Sequence, residues 1–161
     1  MNLRFLAFVL LLCMMQAARA ESDPWTAEET IQPAELARLV TQQFVVCAGN
    51  VIDCTPPEIL MVGPRILYNG AHVKGAIYAG PAGKSEGLES LTRAAVAGAK
   101  NRRIVLYCGC CPMEKCPNIR PAFQKLKEMG YSSVKVLIIP TNLHDDWTAK
   151  GYPVDRGETA H

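Results

Sequence analysis

Short apolar runs alternate with segments of helical periodicity along most of this chain. Ile59-Leu60-Met61-Val62, the segment closing at Ala76-Ile77, Ile104-Val105-Leu106-Tyr107 and the run from Val134 to Ile139 read as buried strands. Between and around them lie three apolar helix faces. Leu36, Leu39 and Val40 follow a first-turn Pro33; Leu88, Leu91, Ala95 and Val96 form the second; Phe123, Leu126 and Met129 form the third, which Gly130 stops. Such alternation buries both kinds of element only as stacked layers. The expectation is an α/β domain, a small doubly wound parallel sheet with helices on both faces. Ligands of such sheets bind beyond the C-terminal ends of the strands.

The strand ending at Tyr107 runs directly into Cys108-Gly109-Cys110-Cys111-Pro112-Met113-Glu114-Lys115-Cys116, so four cysteines fall within nine residues at a strand–loop–helix junction. A thiol there faces the unpaired N–H groups and positive end of the helix, and both favour a thiolate. The pattern points to sulfur or redox chemistry, or to a metal. Cys108, at the strand end, is the expected nucleophile, with Cys110 and Cys111 as alternatives. Cys111 and Cys116 flank four residues and suit either a structural disulfide or a resolving role towards a neighbouring persulfide or sulfenate. The Cys-x-Cys-Cys-x4-Cys spacing is not the paired Cys-x2-Cys of structural zinc sites, and no histidine lies close in sequence. No metal ligand set is assigned, although Cu(I) would suit such soft donors.

Residues 1–20 read as a signal peptide: Arg4, the apolar run Phe5 to Met15, then Ala18-Arg19-Ala20. The expected layout is then a flexible leader at 21–30, one domain at 31–157 and a tail at 158–161. Removing Arg4 and Arg19 from the 17 basic residues leaves 15, equal to the 15 acidic ones. A neutral chain without a basic block is not suited to nucleic acid or an anionic membrane surface. The expected localisation is exported, periplasmic in a Gram-negative bacterium. In an oxidising compartment, Cys47 and Cys54 are expected to form a local disulfide.

Three segments together resemble the rhodanese family of sulfurtransferases. They are Gly70-Ala71-His72-Val73-Lys74-Gly75-Ala76-Ile77, then Ile104 to Cys108 with its loop and the helix ending at Tyr131, then Val134 to Leu137 with Trp147 and Gly151-Tyr152-Pro153-Val154 after it. Their order and spacing match over residues 31–156. The resemblance implies a cysteine that accepts sulfane sulfur as a persulfide and passes it to a thiophilic acceptor; by strand position that cysteine is Cys108. It implies no cofactor, and as partners a small sulfur-containing donor and acceptor, or a protein thiol. Lys115 and Arg120 are the expected contacts of an anionic donor such as thiosulfate; an exposed helix position is the plainer role of each. The chain also departs from the family. Its active loop is longer and holds three further cysteines, Asn118 falls where the family has arginine, Met61-Val62-Gly63 stands where Asp-Val-Arg is common, and Lys74 replaces a proline.

Other chemistries find no support. A phosphatase of related fold needs arginine at the sixth position after its cysteine, but Glu114, Cys116 and Pro117 occupy those positions after Cys108, Cys110 and Cys111. No phosphate-binding Gly-x4-Gly-Lys-Ser/Thr, Gly-x-Ser-x-Gly or His-Glu-x2-His is present. His72 reads as a structural residue of its turn, His144 as a solvated cap beside Asp145 and Asp146, and Trp147 and Tyr152 as packing. A sulfurtransferase is therefore the first expectation. The alternatives are a thiol–disulfide redox protein using the Cys108–Cys116 loop and a module binding a thiophilic metal.

Overall fold

The computed structural model describes residues 23–41, 56–96 and 100–157. The 1–20 segment, the 158–161 tail and the Cys47–Cys54 couple lie outside the described residues. The elements follow in the order β1 (Thr30–Ile31), α1 (Pro33–Thr41), β2 (Glu58–Met61), α2 (Arg65–Gly70), β3 (His72–Val73), β4 (Ile77–Tyr78), α3 (Ser85–Val96), β5 (Ile104–Tyr107), α4 (Ile119–Glu128), β6 (Val134–Leu137), α5 (Leu143–Asp146) and β7 (Val154–Asp155). Short 3-10 turns lie at Ala27–Glu29, Met113–Lys115 and Thr148–Lys150.

Five strands form one sheet in the order β1-β6-β5-β2-β4, and every neighbouring pair is parallel. The two-residue period of the strands sorts the core into two layers. Leu60, Ile104, Leu106, Val134 and Val136 pack with Leu91 and Ala95 of α3 and with Ala122, Phe123 and Leu126 of α4. Ile59, Met61, Val105, Tyr107 and Leu137 pack instead with Leu36 and Val40 of α1, Tyr68 of α2 and Leu143 of α5. The doubly wound α/β architecture is therefore present. No helix among the described residues is long and apolar enough to cross a membrane.

Three features differ from the sequence expectation. The described part of the 21–30 leader is not loose: Trp25 sits edge-on to Phe123 with ring centroids 5.6 Å apart, Ala27–Glu29 form a turn, and Thr30 already pairs with Val136. An aromatic ring and a β-branched pair outweigh the polar residues around them. Second, β3 does not join the main sheet. It pairs antiparallel with β7, and the Tyr107 hydroxyl ties this ribbon to β5 by accepting the Val73 N–H at 3.1 Å. Third, residues 65–70 form the helix α2, whose mixed composition hides its period. His72 behaves as expected. It is buried, lies parallel to Tyr68 at 3.8 Å, and places Nδ1 2.7 Å from the Tyr68 carbonyl. Trp147 and Tyr152 pack edge-on at 5.1 Å, as expected.

From β2 the chain turns to β4 on one side, then reaches β5 on the other. The C-terminal ends of β2 and β5 are thus the point where the winding reverses, which leaves a crevice between them. Gly63 follows β2 there, and Cys108 follows β5.

Candidate active site

The cysteine loop leaves β5 through Gly109, whose φ of +70° suits glycine; a Cβ on it would lie 2.8 Å from Leu143 Cβ. The Gly109 carbonyl accepts the Leu143 N–H at 3.0 Å and the Pro140 carbonyl accepts the Met113 N–H at 3.3 Å, so the segment after β6 clamps the loop. The Met113–Lys115 turn then delivers Cys116 to the entrance of α4. Gly63 makes room on the opposite side. A Cβ there would stand 2.9 Å from the Cys108 carbonyl oxygen and 3.2 Å from its Sγ.

The loop folds its thiols together. Cys108 Sγ lies 3.1 Å from Cys110 Sγ, and Cys110 Sγ lies 3.2 Å from Cys111 Sγ. The Sγ atoms of Cys108, Cys110 and Cys116 are all within 4.8 Å of one another. All four cysteines are free thiols, so the bridge considered for Cys111 and Cys116 is not formed. Cys108 and Cys116 are each only 4 % exposed, whereas Cys110 and Cys111 are half-buried.

Charge is divided unequally in this cluster. The Cys108 thiol donates towards Cys116, and the N–H groups of Asn118 and Ile119 at the start of α4 converge on the same sulfur; together these hold the Cys116 thiol down to about 5. Cys108 is pushed in the opposite direction, first by its hydrogen bond to Cys116 and then by burial. Burial leads the rise of Cys111 to about 12. An accessible Cys108 thiolate was the expectation; Cys108 is instead buried, and the first N–H groups of α4 favour the negative charge on Cys116. The Met113–Lys115 turn places Cys116, rather than Cys108, against the first N–H groups of α4.

Asn118 links the two sides of the site. Its Nδ2 donates to Cys108 Sγ at 3.3 Å while its Oδ1 accepts the Gly83 N–H at 2.8 Å. The sequence marked this position only as the place of a missing arginine. A buried Asn immediately before a helix was the available signal of its role.

Arg120, expected to contact an anionic donor, is engaged by other groups in this structure. It pairs with Asp23 at 2.6 Å, donates to the Met113 carbonyl at 3.2 Å and stacks over Trp25. It joins the leader to the cysteine loop. Lys115 is exposed on the outer side of the turn and lines neither cavity at the loop.

Two cavities adjoin the loop. A very small one, about 10 Å³, is walled by Cys108, Cys111, Met113, Cys116 and the aliphatic Ile119, Leu137 and Ile139. The other is an open cleft of about 580 Å³ that reaches Gly109 and Cys110. Ile66, Leu67 and Leu143 give it an apolar wall, and His144 and Arg156 a polar one. His144, expected as a solvated cap, is exposed and faces this cleft.

The family model of the rhodanese-like domain matches residues 32–138. No curated protein matches the chain. Among solved structures, the Alr3790 protein of Anabaena sp. is 20 % identical with a TM-score of 0.55, covering 80 % of this chain and 94 % of its own. The BH2092 protein of Bacillus halodurans is 18 % identical with a TM-score of 0.56, covering 95 % of this chain and 86 % of its own. An anaerobic ergothioneine biosynthesis enzyme from Chlorobium limicola, solved with trimethyl histidine, is 24 % identical with a TM-score of 0.52; the match covers 79 % of this chain and 28 % of that one. These likenesses concern the fold.

Proposed function

The chain belongs to the rhodanese-like domain family, and from that premise we propose that it is a sulfurtransferase carrying sulfane sulfur as a persulfide on Cys108. The observation that carries this reading is geometric: Cys108 Sγ, at the C-terminal end of β5, lies within 4.8 Å of Cys110 Sγ and Cys116 Sγ at the entrance of α4 and accepts from Asn118 Nδ2 at 3.3 Å. The two sulfurs of Cys108 and Cys116 form one coupled pair that holds a single proton between them, and attack by Cys108 uses the form in which Cys116 carries it.

The reaction follows from the pair. As the donor's outer sulfur approaches Cys108, the shared proton shifts to Cys116 and the negative charge to Cys108. The Cys108 thiolate attacks the outer sulfur of a donor such as thiosulfate. The bond between that sulfur and the sulfonate sulfur breaks, and sulfite departs with the electron pair. Asn118 Nδ2 and the Cys110 N–H point at the Cys108 sulfur and favour its negative form. Cys110 touches Cys108 and also lines the large cleft, which makes it the exit. Cys110, its proton released to solvent through the cleft, attacks the outer persulfide sulfur; the bond to Cys108 breaks with its electron pair on Cys108, which recovers its proton from Cys116. An acceptor thiol in the cleft then takes the sulfur from Cys110 by the same exchange. The leader pattern of residues 1–20 supports an exported setting for this chemistry.

Turnover of thiosulfate with a thiol acceptor tests the roles. Cys108→Ser should lower it by at least about a thousandfold, and Cys116→Ser by about a hundredfold, both in folded protein. Cys110→Ser should still accept sulfur but deliver it slowly. Full turnover by Cys108→Ser would remove the assignment.

A further inference from the structure

We propose that the sulfurs of Cys108, Cys110 and Cys116 form a three-coordinate site for a soft monovalent metal ion, Cu(I). The sequence offered four soft donors for such an ion without a ligand set, because Cys116 lies beyond the Met113–Lys115 turn from Cys108 and Cys110. The fold brings all three Sγ atoms within 4.8 Å of one another. Metal–sulfur bonds of about 2.3 Å put the sulfurs of a trigonal site about 4 Å apart. Reaching that spacing requires Cys108 and Cys110, now at 3.1 Å, to separate slightly. Cys110 is the half-buried member and lines the open cleft, so it is the ligand free to move and the side from which an ion enters.

Three features select the ion. The donors are all sulfur, with no carboxylate or imidazole in the group, and thiolates prefer soft cations. The number is three. Cys111 contacts Cys110 but falls outside the mutually close set, and the adjoining cavity, lined in part by Ile119, Leu137 and Ile139, is only about 10 Å³. A cavity that size is at the lower limit for even one water. A tetrahedral ion such as zinc needs a fourth ligand; a trigonal one does not. Around this set, Asn118 Nδ2 donates to Cys108 and the first amides of α4 donate to Cys116, the outer hydrogen bonds that hold ligand sulfurs in place. Binding releases the remaining thiol protons to solvent. The ion occupies the sulfurs that the persulfide chemistry requires, so the copper form and the sulfur-carrying form exclude each other.

The test uses the full, reduced chain kept free of any sulfur donor and titrated anaerobically with Cu(I) against a coloured Cu(I) chelator. The chain should take one Cu(I), with an X-ray absorption shell of three sulfurs. Cys110→Ser, whose side chain is half-exposed and whose fold circular dichroism can verify, should weaken binding by more than about tenfold; Cys116→Ser should do the same, and Cys111→Ser should bind as the parent does. Retention of all copper by the chelator overturns the proposal. So does a loss in Cys111→Ser equal to that in Cys116→Ser, or a four-sulfur shell with zinc displacing Cu(I). Sulfur loading from thiosulfate, measured separately on the metal-free chain, reports on the transferase reading alone.

Discussion

At the scale of single residues, the site rests on which sulfur holds the negative charge. Cys116 sits where α4 offers its first N–H groups, and Cys108 sits one hydrogen bond away with the proton. The sign of the pH dependence follows. A thiol held near 5 in the fold and near 9 when unfolded releases its proton on folding between those values. Its stabilisation is therefore complete above about pH 9 and is lost as the pH falls through about 5. Ultraviolet thiolate absorbance of the reduced chain should show one thiolate persisting to about pH 5, and Cys116→Ser should abolish it. Absence of any thiolate below about pH 8 would contradict the assignment. At this scale the sequence was only partly legible. The cysteines announced themselves by type and density. Which one meets the helix end depends on how the Met113–Lys115 turn folds, and spacing does not encode that. The same turn explains Arg120: it lies one helical position beyond the loop and is captured by Asp23 and the Met113 carbonyl.

At the scale of elements, the site is framed by close approaches that tolerate no side chain. Gly87 in the first turn of α3 is the sharpest: a Cβ there would stand 2.0 Å from the Pro81 carbonyl oxygen and 2.9 Å from the Ala82 nitrogen. This contact seats α3 beside the loop containing Gly83, whose N–H holds Asn118. Two effects compete in Gly87→Ala. Helix propensity favours alanine by about 1 kcal/mol, while forcing atoms into a filled space costs typically about 1–3 kcal/mol and sometimes more. The obstacle is backbone and cannot rotate away, so the clash wins. Gly87→Ala should lower the denaturant midpoint; an unchanged or raised midpoint would show that the Pro81 segment yields. The elements themselves were legible where period and punctuation agree, as in α1, α3, α4, β2, β5 and β6. The antiparallel ribbon of β3 and β7 was not, because two-residue strands carry no period and their partners, His72 with Asp155 and Val73 with Val154, are far apart in sequence.

For the whole molecule, the decisive fact is the reversal of winding between β2 and β5. It opens a crevice there, and Gly63 and Cys108 meet across it. Strand–helix alternation made the layered α/β plan legible, since continuous apolar strands need cover on both faces. The docking of the leader was not legible: Trp25 finds Phe123, and Asp23 finds Arg120, only once α4 lies on the sheet. The plan also keeps Cys108 buried while Cys110 meets the open cleft, the arrangement on which the proposed separation of sulfur storage from sulfur exit rests.

Intact-mass measurement with peptide mapping tests that separation most directly. The reduced, metal-free Cys110→Ser chain is incubated with thiosulfate, so that sulfur loaded at the carrier cannot move on. One added sulfur atom per chain, mapped to Cys108, is the predicted result; no added sulfur, or sulfur mapped to Cys111 or Cys116, would contradict it.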